Sequence, residues 1–178
     1  LGEWSRDSKS HVAHMNEGDF YGSEKSVILD HADDVKVQFK TKNGSIRYLN
    51  DSVVLEKHEI IDAAVMSKSA LISFLEEQIK DAKAKDVLFS VHLKATMMKV
   101  SDPIIFGYVV EVFYKEILEH YHTELNAINF NPRNGIKDLY NKLDKLDSAR
   151  AEEIKTEIDA LYELKPDLAM VNSDDGIT

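Results

Sequence analysis

The chain contains no cysteine, so a disulfide framework, a zinc ribbon and an iron–sulfur cluster are all closed to it. Proline and glycine are scarce, 3 and 7 among 178 residues, which excludes collagen-like repeats and low-complexity disorder. No stretch approaches the roughly 18 consecutive apolar residues of a membrane span, and the opening Leu1-Gly2-Glu3-Trp4-Ser5-Arg6-Asp7 lacks the apolar stretch of a signal peptide. A soluble chain with no membrane partner is expected. Positive charge is outnumbered, 22 Lys and Arg against 32 Asp and Glu for a net charge of −10, so nucleic acid is not an expected partner. The absence of thiols suits a reducing compartment and points to the cytoplasm.

What is present describes an ordinary folded chain: 43% of residues are apolar and 30% charged. A chain of this size hides roughly 70% of the surface its unfolded form exposes, enough for a core without staples. It begins at Leu1 and stops at Asp175-Gly176-Ile177-Thr178, just after a strand and turn, which reads as a piece of a longer polypeptide.

Residues 1–34 show neither helical nor strand periodicity and read as an irregular arm. From Val35 the pattern alternates strictly: Val35, Val37 and Phe39 point one way and Lys36, Gln38 and Lys40 the other, the period of a half-buried strand. Asn43-Gly44 supplies a tight turn and Ile46-Arg47-Tyr48-Leu49 returns, giving a hairpin over 35–49. Ser67 caps a helix carrying Leu71, Phe74, Leu75 and Ile79 to about Lys83. The nearly continuous apolar run Val87-Leu88-Phe89-Ser90-Val91-His92-Leu93 predicts a central strand covered on both faces. Ser101-Asp102-Pro103 starts a helix whose apolar positions from Ile104 to Tyr121 trace one face about 28 Å long. After the break Asn131-Pro132-Arg133-Asn134-Gly135 come helices over 136–145 and 149–164 and a buried strand over 167–173. The order predicts an α/β fold, a layered sheet with helices on both faces plus the hairpin and the irregular N-terminal arm, with 60–178 as the α/β core of a single segment.

Lys94 follows the first apolar strand directly, where ligands collect in open α/β sheets. A half-desolvated lysine there can shuttle a proton or hold an anion, and the alternative is a lysine snorkelling at a sheet edge. Lys99 lies near a helix start and reads as a loop lysine or an anion contact. His11 and His14 form an H-x-x-H pair without the glutamate of a zincin. His92 reads as a satisfied core histidine, and His120 and His122 as surface residues. Asn172, Ser173, Asp174 and Asp175 end the last strand, where carboxylates could meet magnesium or where Asp-Gly simply turns the chain. Glu152, Glu153, Glu157 and Asp159 read as the solvated face of a helix buried through Ala151, Ile154, Ile158 and Leu161. No G-x-G-x-x-G, Walker loop or G-x-S-x-G occurs.

The run His92-Leu93-Lys94-Ala95-Thr96-Met97-Met98-Lys99-Val100-Ser101-Asp102-Pro103-Ile104-Ile105-Phe106-Gly107 closely resembles the monomeric type of NADP-dependent isocitrate dehydrogenase. Trp4 to Met15, Gly18 to Glu24 and Leu168 to Asp174 are similar to the same family in the same order, so the resemblance spans essentially the whole chain. It implies an internal segment of a larger cytoplasmic enzyme of the tricarboxylic acid cycle and glyoxylate bypass. That enzyme decarboxylates isocitrate oxidatively to 2-oxoglutarate with NADP and magnesium or manganese. Lys94 followed by Met98-Lys99 is similar to the shorter H-K-G-N-I-M-K motif of dimeric relatives, which assigns the catalytic role to Lys94 and a substrate contact to Lys94 and Thr96. The family's metal carboxylates, main NADP residues and catalytic tyrosine have no match here, so neither Tyr108 nor Tyr140 takes that last role. The implied partners are isocitrate and the remainder of the parent polypeptide, and the separated segment is expected to be inactive. The alternative from another class is an autonomous α/β module that binds a small polyanion.

Overall fold

The computed structural model describes residues 3–93, 98–172 and 176–177, and the fold is mixed α/β. The chain divides into two units, Met15–Ser67 and a second made of the first fourteen residues together with everything from Lys68 onward.

The Met15–Ser67 unit opens on a one-turn helix α1 (Phe20–Ser23), capped by the Asp19 carboxylate, which accepts the Gly22 N–H at 2.9 Å. Strand β1 (Lys25–Ile28) pairs antiparallel with β4 (Ile60–Ala63), and β2 (Asp33–Lys40) with β3 (Ile46–Leu55). The Ser23 hydroxyl donates to Val65 O at 2.7 Å and accepts the Val65 N–H at 2.8 Å, tying the unit's two ends. The expected hairpin forms, with longer strands than its alternation indicated. Its loop has three residues rather than two: Thr41 N bonds Ser45 O, Gly44 N bonds Thr41 O, and Gly44 alone takes positive φ, +87°. Register shifts between Val35 and Val37 and between Val37 and Gln38 bulge the ladder. The apolar face expected to be half-buried is open: only Val35 is partly covered, while Phe39 is 55% exposed. Within the stretch read as an irregular arm the structure holds α1 and β1. Both are four residues long, too short to leave a periodic signal.

In the second unit, residues 3–14 are irregular. Helix α2 (Lys68–Lys85) buries Leu71, Leu75, Ile79 and Ala82 at the expected spacing. Strand β5 (Phe89–Leu93) leads to α3 (Ser101–Phe113), which packs on both α2 and β5. The long helix expected to Tyr121 continues as α4 (Lys115–His120) and α5 (His122–Ala127), bent at Tyr114 and Tyr121, where ψ is 23° and 24°. Bonds from Tyr114 N to Val110 O, Leu118 N to Tyr114 O and Tyr121 N to Ile117 O carry the helical ladder across both bends. Both tyrosines are fully buried, so each bend lies at a large ring seated in the core. A 3-10 turn at Pro132–Asn134, α6 (Ile136–Lys142) and α7 (Ser148–Leu164) follow. Helix α7 buries Ala151, Ile154, Ile158 and Leu161, the four positions expected.

Strand β6 (Leu168–Asn172) pairs parallel with β5, and β7 (Gly176–Ile177) pairs antiparallel with β6, in the order β5-β6-β7. Among the described residues β5 is therefore an edge strand, where its apolar run predicted a central one. Its burial alternates, Phe89 and Val91 half-covered, Ser90 and His92 exposed.

Candidate active site

The parallel register Phe89↔Leu168 through Leu93↔Asn172 brings the carboxyl ends of β5 and β6 side by side. This is the rim where an open α/β sheet gathers ligands. Helix α3 follows in the chain and packs on β5. Asp102 N donates to Met98 O at 3.1 Å, closing the turn ahead of the helix, and the Asp102 carboxylate lies in the first turn, where it complements the helix dipole. The structure places Val100, in αR geometry and without a side-chain cap, at the position where the sequence suggested a capping side chain.

Lys94 and Thr96 lie outside the described residues, as do Ser173, Asp174 and Asp175. The elements that flank them are described: Lys94 follows Leu93, the last residue of β5, and Lys99 sits exposed in the turn before α3. The in-register strand ends thus set Leu93 beside Asn172, the last described residue before each of the two segments singled out from sequence.

Helix α3 is held from behind at an unusually close approach. A Cβ at Gly107 would lie 2.9 Å from Arg133 Cγ and 3.3 Å from Arg133 Cα and N, so only glycine lets the 3-10 turn lie on the helix backbone. Gly107 closes the motif run from His92. Its sequence signal is a glycine inside a strong helical pattern, which points to packing rather than to chemistry.

The histidines are accounted for locally. His11 Nδ1 donates to Lys9 O at 2.8 Å and Nε2 lies 3.5 Å from Asp81 Oδ2, which also takes Lys85 Nζ at 2.7 Å. His14 is exposed. His92 is exposed and not part of the core, its Nε2 3.0 Å from Ser90 Oγ, because its face of β5 carries no covering helix among the described residues. His120 meets Glu157 at 3.1 Å and His122 contacts Asn126, both on the surface as expected. Among the described residues no group of three or more His, Asp or Glu is arranged to hold a metal ion. No described helix is long and apolar enough to cross a membrane.

Tyr108 lies under Lys68, Nζ to ring centroid 4.7 Å. Burial, with Tyr162 and Asp159 nearby, pushes Tyr140 up to about 12.

Comparison with known proteins bears on this rim. The isocitrate dehydrogenase (NADP) 2 of Colwellia maris and the isocitrate dehydrogenase (NADP) of Azotobacter vinelandii are each 52% identical to this chain over all 178 residues. The isocitrate dehydrogenase (NADP) 2 of Mycobacterium tuberculosis is 44% identical over the same span. The chain spans 24% of the length of each of these relatives. The family described as monomeric isocitrate dehydrogenase matches residues 1–178, and the chain belongs to that family.

Proposed function

We propose that these 178 residues form one segment of an NADP-dependent isocitrate dehydrogenase that works in the cytoplasm. Lys94 of this segment exchanges a proton with the substrate. The observation that supports this is the meeting of two facts at one position: the family match covers the whole chain, and the lysine in its motif follows directly the end of a parallel strand.

Oxidation of a secondary alcohol to a ketone removes a hydride from carbon and a proton from the hydroxyl. The Lys94 amine accepts that hydroxyl proton as the hydride leaves for NADP. After carbon dioxide departs from the keto acid, the ammonium returns a proton to the product. A positioned general acid–base of this kind contributes about 10²–10⁴-fold. Thr96, two residues on, is a hydrogen-bonding contact to the substrate.

Magnesium or manganese would supply electrostatic stabilisation of the charge that develops on oxygen. The described residues do not fit such an ion, because they contain no cluster of three or more acidic or imidazole ligands. Metal ligands are therefore assigned to other parts of the polypeptide, as are the nucleotide ligands that the family resemblance places outside this segment.

The test is Lys94→Met in a full-length enzyme carrying these residues. A fall in kcat of about 100-fold or more with folding intact is expected from the loss of a general acid–base. Activity within a few-fold of the parent removes Lys94 from the chemistry. Lys99→Met is the companion variant, expected to raise KM and leave kcat nearly unchanged.

A further inference from the structure

Among the described residues strand β5 has one partner, and its other edge is open. The bond from Phe89 N to Asp167 O, 2.8 Å, turns the Phe89 amide toward β6. In a parallel ladder the direction alternates, so the Val91 amide also faces β6 while the N–H and C=O groups of Ser90 and His92 point away from it. No described residue receives them.

Natural edge strands are blunted by lysine, proline, a bulge or a covering element. Strand β5, Phe89-Ser90-Val91-His92-Leu93, carries neither lysine nor proline nor a bulge, and it runs against β6 without a register shift. Leu88, just before it, is 57% exposed.

The edge also opens into prepared space. A cavity of about 640 Å³ is lined on one side by Phe89, Ser90, Val91 and His92, residues of both faces of the strand, as befits a gap along its edge. Its opposite wall is the Ser10–Ala13 stretch, and its floor comes from α2 and α3. That wall is pinned to α2 by Lys9 Nζ donating to Lys85 O at 2.9 Å and by the His11–Asp81 contact, so it bounds the trough without pairing with β5. Five residues of extended chain span about 16 Å, the length of β5 itself.

We propose that this trough receives one extended segment of the same polypeptide, drawn from the three quarters of the family's length that lies outside these 178 residues. The segment pairs with Ser90 and His92 and makes β5 an interior strand. The argument for an intrachain occupant is the coverage: the relatives that match this chain end to end are about four times as long.

The experiment is hydrogen exchange in a full-length enzyme of this family carrying these 178 residues in place of its matching segment. The amides of Ser90 and His92 are expected to exchange within about ten-fold of those of Phe89 and Val91. A two-residue alternation, with Ser90 and His92 exchanging at least 100-fold faster, overturns the proposal. So does protection that rises with protein concentration alongside a dimer in sedimentation, since the occupant would then be a second copy. An independent variant is Ser90→Pro, which deletes an edge-facing N–H and leaves the β5–β6 bonds intact. It is expected to lower Tm of the full-length enzyme by several degrees, and an unchanged Tm refutes the pairing.

Discussion

Replacing Gly107 by alanine sets two effects of opposite sign against each other at a measured distance. Alanine in a helix interior is favoured over glycine by about 1 kcal/mol, so at an open position the change stabilises. Here the new methyl meets Arg133 Cγ at 2.9 Å and Arg133 Cα and N at 3.3 Å. Carbon atoms rest at about 3.5–4.0 Å, so the turn must retreat by roughly half an ångström or more. That turn is not free to do so. The Asn131 side chain accepts the Arg133 N–H at 3.1 Å, and the Asn131 N–H donates to the Asp138 carboxylate at 2.9 Å, fastening it to α6. Overpacking of this kind costs about 1–3 kcal/mol, which exceeds the propensity gain. The expected net loss is about 1 kcal/mol, a fall in Tm of about 2–4 °C for a chain of this length. Urea unfolding followed by circular dichroism measures it. Adding Arg133→Ala removes the Cγ contact and leaves the backbone contacts, so the double variant recovers part of the loss. A Gly107→Ala protein more stable than the parent refutes the argument, because it means that the turn yields without cost.

Tyr121→Phe removes a buried hydroxyl that makes no regular hydrogen bond, although it lies near enough to Glu157 to help hold that carboxyl below its ordinary 4.5, and is expected to change stability by no more than about 1 kcal/mol in thermal unfolding. A clear loss of stability shows that the hydroxyl has a partner after all. Stability should also fall on the acid side. Hydrogen bonds from Arg150 hold Glu124 below its ordinary 4.5. Burial works against ionising Asp138, yet bonds from Lys142 and the Asn131 N–H outweigh it and hold that carboxyl below its ordinary 3.8. Because these folded values are depressed, the stabilisation is complete above the ordinary values and disappears as pH drops through the folded ones. Tm measured downward from about pH 6 should decline below about pH 4.5, and less steeply in Glu124→Gln. An identical acid slope in that variant removes Glu124 from the effect.

Helices were the most legible part of the sequence, because their apolar positions are buried by one another within the second unit. The stripe Ala151, Ile154, Ile158, Leu161 is buried residue for residue as read, and Leu71, Leu75 and Ile79 likewise. What the helical period could not show were the bends at Tyr114 and Tyr121, since bonds four residues back continue through them and the apolar spacing survives. Strand β1 was invisible for a different reason: four residues, Lys25-Ser26-Val27-Ile28, hold too few positions for alternation to stand out, and the β4 strand it pairs with lies more than thirty residues away. At the candidate site, the apolar run of β5 pointed to the strand end, while the neighbouring order β5-β6-β7 was not legible in the sequence. The choice of Lys94 over Lys99 came from the motif and not from geometry, because both lysines lie between the end of β5 and the start of α3.

The two strand readings that differ from the structure differ in the same direction. Val37 and Phe39 alternate as if one face of the hairpin were covered, and both are about half exposed. Val87 to Leu93 has the composition of an interior strand, and β5 has a neighbour on one side only. A strand pattern records the surroundings of the complete polypeptide, since strands are buried by partners distant in sequence, whereas a helical stripe is often satisfied by the next helix along. In a chain spanning 24% of its relatives' length, helical patterns should therefore match the observed burial and strand patterns should overstate it, which is the division seen between α7 and β5. The same reasoning separates β5 from β6. Strand β6 has β5 on one edge and β7 on the other, whereas Ser90 and His92 offer backbone groups that no described residue takes up, so the completing strand proposed above belongs on the β5 side of the sheet.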